Sequence, residues 1–295
     1  MKTSTNTIGY YFLKAFTLPM QLFPLEFHFL FSNFLYWLTY SLLGYRKKVV
    51  RKNLNSAFPQ KSKDEIIQIE KEFYRGFADM FIETLYFSNL WKNKDKKRLE
   101  LVNVELFYET VKSGRNVIII SGHFGNWEYM QLFQNKIREK TFFVYKKLNN
   151  KTFDQFYRSL RERVATPVEM RETYRRLMHE TQMKNAWGAL FISDQRPAAS
   201  DLNNWVKFLN QDTPVMTGTE RIAKKTNAVV LYLEVKKVKR GHHRATFELL
   251  VEKPRETAPL GITTLFMQRL DESISHAPAQ YLWSHNRWKY NKLNN

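Results

Sequence analysis

The sequence predicts an α/β fold, a mostly parallel sheet flanked by helices, with a membrane-associated helix ahead of it. Three observations point there. Short apolar runs recur at 116–120, 142–145, 189–193 and 228–235, the pattern of strands buried on both faces. Segments with a helical repeat separate them, and such alternation favours parallel pairing. Upstream, residues 27–45, FHFLFSNFLYWLTYSLLGY, run nineteen positions without one Asp, Glu, Lys or Arg.

That apolar segment is long enough to span hydrocarbon. His28, Ser32 and Thr39 fall at helical spacing and would form a polar stripe, which suits a helix lying in the headgroups. Spanning and lying flat both stay open, with a buried core helix as the third reading. Pro19 and Pro24 prevent a longer helix, and no small-residue cleavage site marks a signal peptide. Arg46, Lys47, Lys48, Arg51 and Lys52 follow at once. Basic residues in that place favour the cytoplasmic face and anionic lipid. The chain therefore divides into a membrane-anchor region, 1–45, and an α/β domain, 46–295.

Ser62 and Glu65 form a capping-box pattern. Ile66, Ile69, Phe73, Phe77 and Met80 then recur at helical spacing, so an amphipathic helix runs to about Leu90. NVIII (116–120), a helix from Tyr129 to about Lys140, and FFVY (142–145) compose a βαβ unit. RETYRRLMHETQMKN reads as a helix, ALFIS as a buried strand, TERIAKKTN as a helix and AVVLYLEV as a strand. A hairpin with Gly241 in its turn returns through RATFELLV, and a last helix covers about Gly261 to Ser275.

The composition narrows the partners. Lys and Arg number 47 against 28 Asp and Glu, a net charge of +19, and aromatics reach 15%. Such a field suits nucleic acid, an anionic membrane or an acidic protein. Nucleic acid is set aside because no finger, RNP-type or G-x-x-G sequence is present and the aromatics sit in apolar runs. The absence of cysteine removes thiolate chemistry and disulfides. No ligand set with zinc spacing is seen, so neither metal nor cofactor is expected.

The chemistry concentrates in SGHFGNWE, 121–128. In an open α/β sheet ligands sit at the carboxyl ends of strands, and His123 stands just beyond one. Gly122 and Gly125 allow the bend, Asn126 is placed to cap the next helix, and Glu128 falls in its first turn, where the dipole favours an anion. A carboxylate on one ring nitrogen would fix the tautomer and leave the other free to take a proton from a hydroxyl. Spacing alone equally fits a satisfied histidine and a routine first-turn acid.

SGHFGNWE resembles the H-x4-D/E block of the lipid A late acyltransferases, the lauroyl and myristoyl transferases of Gram-negative bacteria. GYRKKVVRKNLNSAFP, VYKKLNNKTFD, FISDQ and QYLWSHNRWK follow in that family's order. The resemblance implies that His123 activates a hydroxyl with Glu128 assisting, and that acyl carrier protein is the donor. It also implies a phosphorylated glucosamine lipid as acceptor and an inner-membrane location facing the cytoplasm. Where the family commonly has Arg and Pro after the second-strand tyrosine, this chain has Lys146 and Lys147, so a bidentate phosphate clamp becomes point charges.

Two further groups of candidates follow, of which only the second lies on the same rim. Arg158, Arg161 and Arg163 suit phosphates or a pantetheine arm, or simply form a solvated helix face. Asp194, Gln195 and Arg196 end a predicted strand, beside Pro197 in what is equally a polar turn. The substrate-binding candidates are thus Asn126, Lys146, Arg161, Arg163, Asp194, Gln195 and Arg196. His285 reads as structural, and His242 and His243 as exposed turn residues. Backbone N–H groups near 122–126 are the expected oxyanion donors. The reading is acyl transfer to a lipid A precursor. The alternatives are acylation of a lysophospholipid or aminolipid, and a non-catalytic membrane-bound scaffold.

Overall fold

The structure, a computed structural model, describes residues 7–88, 97–133, 141–199 and 202–290. Seven strands form one sheet in the order β1-β9-β8-β2-β5-β3-β4, and a separate hairpin pairs β6 with β7. The strands are β1 (Leu99–Val102), β2 (Val117–Ser121), β3 (Thr141–Tyr145), β4 (Thr166–Glu169), β5 (Gly188–Ile192), β6 (Trp205–Phe208), β7 (Gln211–Pro214), β8 (Val229–Lys239) and β9 (His242–Val251). All neighbours in the large sheet are parallel except β8 and β9, the expected hairpin. The expected βαβ strands, β2 and β3, are both present, but β5 lies between them.

The central strands bury alternate residues on opposite faces, as a period of two demands. Ile118, Ile120, Ala189, Phe191, Val230 and Tyr232 belong to one core. Val117, Ile119, Leu190, Val229 and Leu231 belong to the other. Over the first face pack α3 (Lys47–Ala57), the first half of α4 (Lys63–Phe87), α7 (Met170–Gln182), α8 (Gly218–Thr226) and α9 (Gly261–His276). The second face takes α2 (Leu25–Tyr36), the end of α4 and α5 (Glu105–Lys112). α1 (Thr7–Thr17) meets α6 (Lys151–Arg161) through Tyr10, Phe156 and Leu160.

Ser62 and Glu65 complete the capping box in both directions, which sets the start of α4. The 27–45 segment divides into α2 and a wider π-helical turn, Trp37–Leu42. No helix among the described residues is long and apolar enough to cross a membrane. α2 instead buries Leu25, His28, Phe29 and Ser32 and leaves Phe27, Leu30, Phe31, Phe34 and Trp37 exposed.

The basic run after it is partly built into the fold. Arg51 makes a two-pronged pair with the buried Glu70 at 2.8 and 2.9 Å. Arg46 donates to the Ser284 carbonyl, and Asn53 donates to the carbonyls of Trp283 and His285. The helix expected from Tyr129 is instead a tight 3₁₀ stretch, Trp127–Phe133. Tyr129 N–H closes on the Asn126 carbonyl one residue earlier than an α-helix would, seating the buried Tyr129 and Met130 against the sheet. The remainder of that expected helix, 134–140, lies outside the described residues.

Candidate active site

β2 and β5 run side by side with Ser121 opposite Ile192, and the ladder continues as Ser193 N–H donates to the Ser121 carbonyl. Two residues past that register pair stand His123 and Asp194. His123 Nδ1 donates to Asp194 Oδ1 at 2.6 Å, and the other ring nitrogen, Nε2, accepts from the Gln195 amide at 3.2 Å. The Trp127 ring meets the imidazole edge-on at 4.7 Å between centroids. Asp194 is buried. Burial alone would raise its pKa, but the imidazole's charge and hydrogen bond outweigh burial and hold the carboxyl below its ordinary value.

The orienting carboxylate is therefore Asp194, and the expected pairing of His123 with Glu128 is corrected. The cause is direction. Asn126 Oδ1 accepts from Glu128 N–H at 3.1 Å, capping as expected, and the 3₁₀ turn then carries the Glu128 side chain toward α6. There Arg161 Nη2 donates to Glu128 Oε1 at 3.4 Å. The Arg161 guanidinium also lies 5.0 to 5.6 Å from the rings of Phe143, Tyr145 and Tyr157, which suits a cation drawn partly out of water.

The motif loop is fixed from both sides. Gly125 has φ +63°, and a Cβ there would stand 1.7 Å from the Val235 carbonyl oxygen, so only glycine fits. Gly125 N–H donates to the Gln280 carbonyl, and the His123 carbonyl accepts from Leu282 N–H. One of the expected oxyanion donors is thus already engaged. The C-terminal segment that receives it is held in turn, with the Arg287 guanidinium buried against the Pro214 carbonyl and Trp288 Nε1 donating to Thr213. His285 is pushed down to about 4 by burial, against the pull of Asp194, so it stays neutral beside the pair.

The other candidates are placed as follows. Arg163 donates to the Phe87 and Ser88 carbonyls at the end of α4, satisfying groups that a helix terminus leaves open. Arg158 pairs with Glu162 on an exposed face. Lys146 is exposed beyond β3. Arg196 reaches the Asn286 carbonyl and the Tyr290 ring. His243 corrects the expectation of an exposed turn: it is buried against Tyr129, 4.0 Å between rings, and burial pushes it down to about 3.

Sequence reasoning also missed Glu83. This residue of α4 accepts from Asn126 Nδ2 at 2.7 Å and so holds the motif loop from below. Its only signal was an acid at an inward position of an amphipathic helix. Burial raises Glu83 to about 7, despite the Asn126 hydrogen bond. An acid raised in the folded state stabilises the fold at low pH and loses that contribution as pH climbs through about 7. Glu83→Gln should accordingly gain melting temperature over the wild type as pH rises from 5 to 8. Parallel melting curves across that range check it, and a constant difference would refute it.

No curated protein matches the chain. The model of one family, described as bacterial lipid A biosynthesis acyltransferase, matches residues 2–290 and so takes in the histidine loop, its partner strand and the C-terminal segment. The chain belongs to the bacterial lipid A biosynthesis acyltransferase family.

Proposed function

We propose that the protein transfers a fatty acyl group from acyl carrier protein to a hydroxyl of a phosphorylated glucosamine lipid, with His123 as general base. The observation that carries this is the imidazole with Nδ1–H held by a buried carboxylate and Nε2 as the acceptor. An acceptor hydroxyl taking the place of the Gln195 amide would lose its proton to Nε2 as its oxygen bonds to the thioester carbonyl carbon. Collapse of that adduct breaks the carbon–sulfur bond, and the proton passes from Nε2 to the departing sulfur. Asp194 stabilises the imidazolium in between. Glu128 acts through Arg161, fixing a cation at the rim beside the acceptor.

The location fits a lipid substrate. Phe27, Leu30, Phe31 and Phe34 of α2 and Trp37 just after it make one exposed stripe, and α1 adds Ile8, Phe12 and Phe16. Such a surface favours lying in the cytoplasmic leaflet of the inner membrane over spanning it. The test is to supply the purified chain with an acyl carrier protein thioester and a phosphorylated disaccharide lipid. Mass spectrometry should show the acceptor heavier by one acyl group, and His123→Ala, still folded by circular dichroism, should give none. Product formed only with a lysophospholipid or an aminolipid would reassign the acceptor.

A further inference from the structure

Between α2, α4 and the end of β8 lies a second concavity of about 320 Å³, lined by Ser32, Asn33, Tyr36, Arg75, Asp79, Lys237 and Arg240. Three cations face one carboxylate there. Asp79 is already saturated, because Arg240 grips both its oxygens at 2.6 to 3.1 Å and the Ser32 hydroxyl donates to it at 2.6 Å. Arg75 and Lys237 are left over. Among the described residues the side chain of neither forms an ion pair or a hydrogen bond, although the charge of Lys237 is felt by Glu83. The Arg75 guanidinium lies over the Tyr36 ring, 5.1 Å from its centroid, an arrangement that covers its face and leaves its N–H edge for an oxyanion.

Two neighbours of this concavity indicate what the anion is attached to. On the outer side is the exposed aromatic and aliphatic stripe of α2. On the inner side a larger cleft of about 430 Å³ shares Arg75, Asp79 and Lys237 and runs to Trp127, the residue packed against His123. His243 Nδ1 and Glu83 Oε1, both buried, line that cleft without a hydrogen-bond partner among the described residues. Buried polar atoms left open in a cleft call for a polar occupant.

We propose that Arg75 and Lys237 form a binding site for the phosphate of an amphiphile whose chains lie along the exposed face of α2. A phosphate oxyanion supplies the charge that Asp79 does not. The site's position makes it either the anchor for the acceptor's own phosphate or a docking point for a bilayer phospholipid. The first assignment rests on the proposed acyl transfer, and the second does not.

The full chain would be titrated with dihexanoyl phosphatidic acid and floated with phosphatidylcholine vesicles with and without phosphatidate. Arg75→Gln/Lys237→Gln should bind phosphatidate roughly thirtyfold more weakly. Lys184→Gln/Lys225→Gln, which removes the same charge from exposed positions elsewhere, should stay within about threefold. No phosphatidate binding by the wild type, or equal losses in both variants, would overturn the site. With phosphorylated and dephosphorylated acceptors in the acyl-transfer assay, a KM raised only for the phosphorylated one, at unchanged kcat, assigns the site to the acceptor. Unchanged KM with lost flotation assigns it to a bilayer phospholipid. A rise confined to the KM of the thioester donor would give these cations to the carrier protein and overturn the proposal. Should the wild type transfer no acyl group, the proposed function fails, while the phosphatidate titration still decides the site.

Discussion

Asp194→Asn should lower kcat by about 10³- to 10⁴-fold, the scale of losing the carboxylate behind a catalytic histidine. The substitution keeps the volume and removes the charge. An asparagine that turns its amide toward Nδ1 would also select the tautomer whose Nε2 bears hydrogen and cannot take a proton from the acceptor. Since the imidazole and the carboxylate act as one unit, His123→Ala and the double variant should fall to the same residual level. Single-turnover kinetics with a saturating thioester would measure all three. Near-normal turnover in Asp194→Asn would return the orienting role to Glu128 and defeat the mechanism.

Gly125→Ala should remove activity by another route. The added methyl meets the Val235 carbonyl at 1.7 Å in a backbone region that alanine rarely adopts. Backbone on both sides prevents an easy escape, because Gly125 N–H is tied to Gln280. Strain and clash together cost roughly 3 to 5 kcal/mol, or roughly 5 to 8 °C in melting temperature for a chain of this size. Differential scanning calorimetry and turnover should both show it. A variant that melts normally and works normally would mean the loop has more room than this packing allows.

The strands at 117–121 and 188–192, and the first five residues of the strand at 229–239, were legible because each is buried on both faces and therefore almost wholly apolar. The histidine was legible for a related reason, since a polar residue just past such a run stands at the rim of the sheet. Its partner was not. H-x4-E is a local spacing, whereas the pairing with Asp194 depends on β5 inserting beside β2, a matter of strand order that no local pattern carries. Asp194 was marked as a rim residue and a substrate-binding candidate, not as the partner of the histidine. The 3₁₀ turn at 127–133 escaped for the opposite reason: its apolar residues fit an α-helix equally well, and the Asn126 carbonyl chose the tighter closure. His243 was misplaced because the last residues of a hairpin turn and the first of its returning strand look alike until the register is fixed.

The pairing of Gln280 and Leu282 with the loop around His123 orders events during synthesis. The histidine, its carboxylate and the central strands are all made before residue 240, yet the loop, held until then only from the side of Glu83, gains its second backbone support some forty residues later. A nascent chain thus carries its reactive group for a long stretch of translation in an unfinished setting, and the segment at 280–282 works as a latch. A product cut short before residue 280 would retain the sheet and display an intact His123 and Asp194, but the loop that aims the imidazole would be held from one side only.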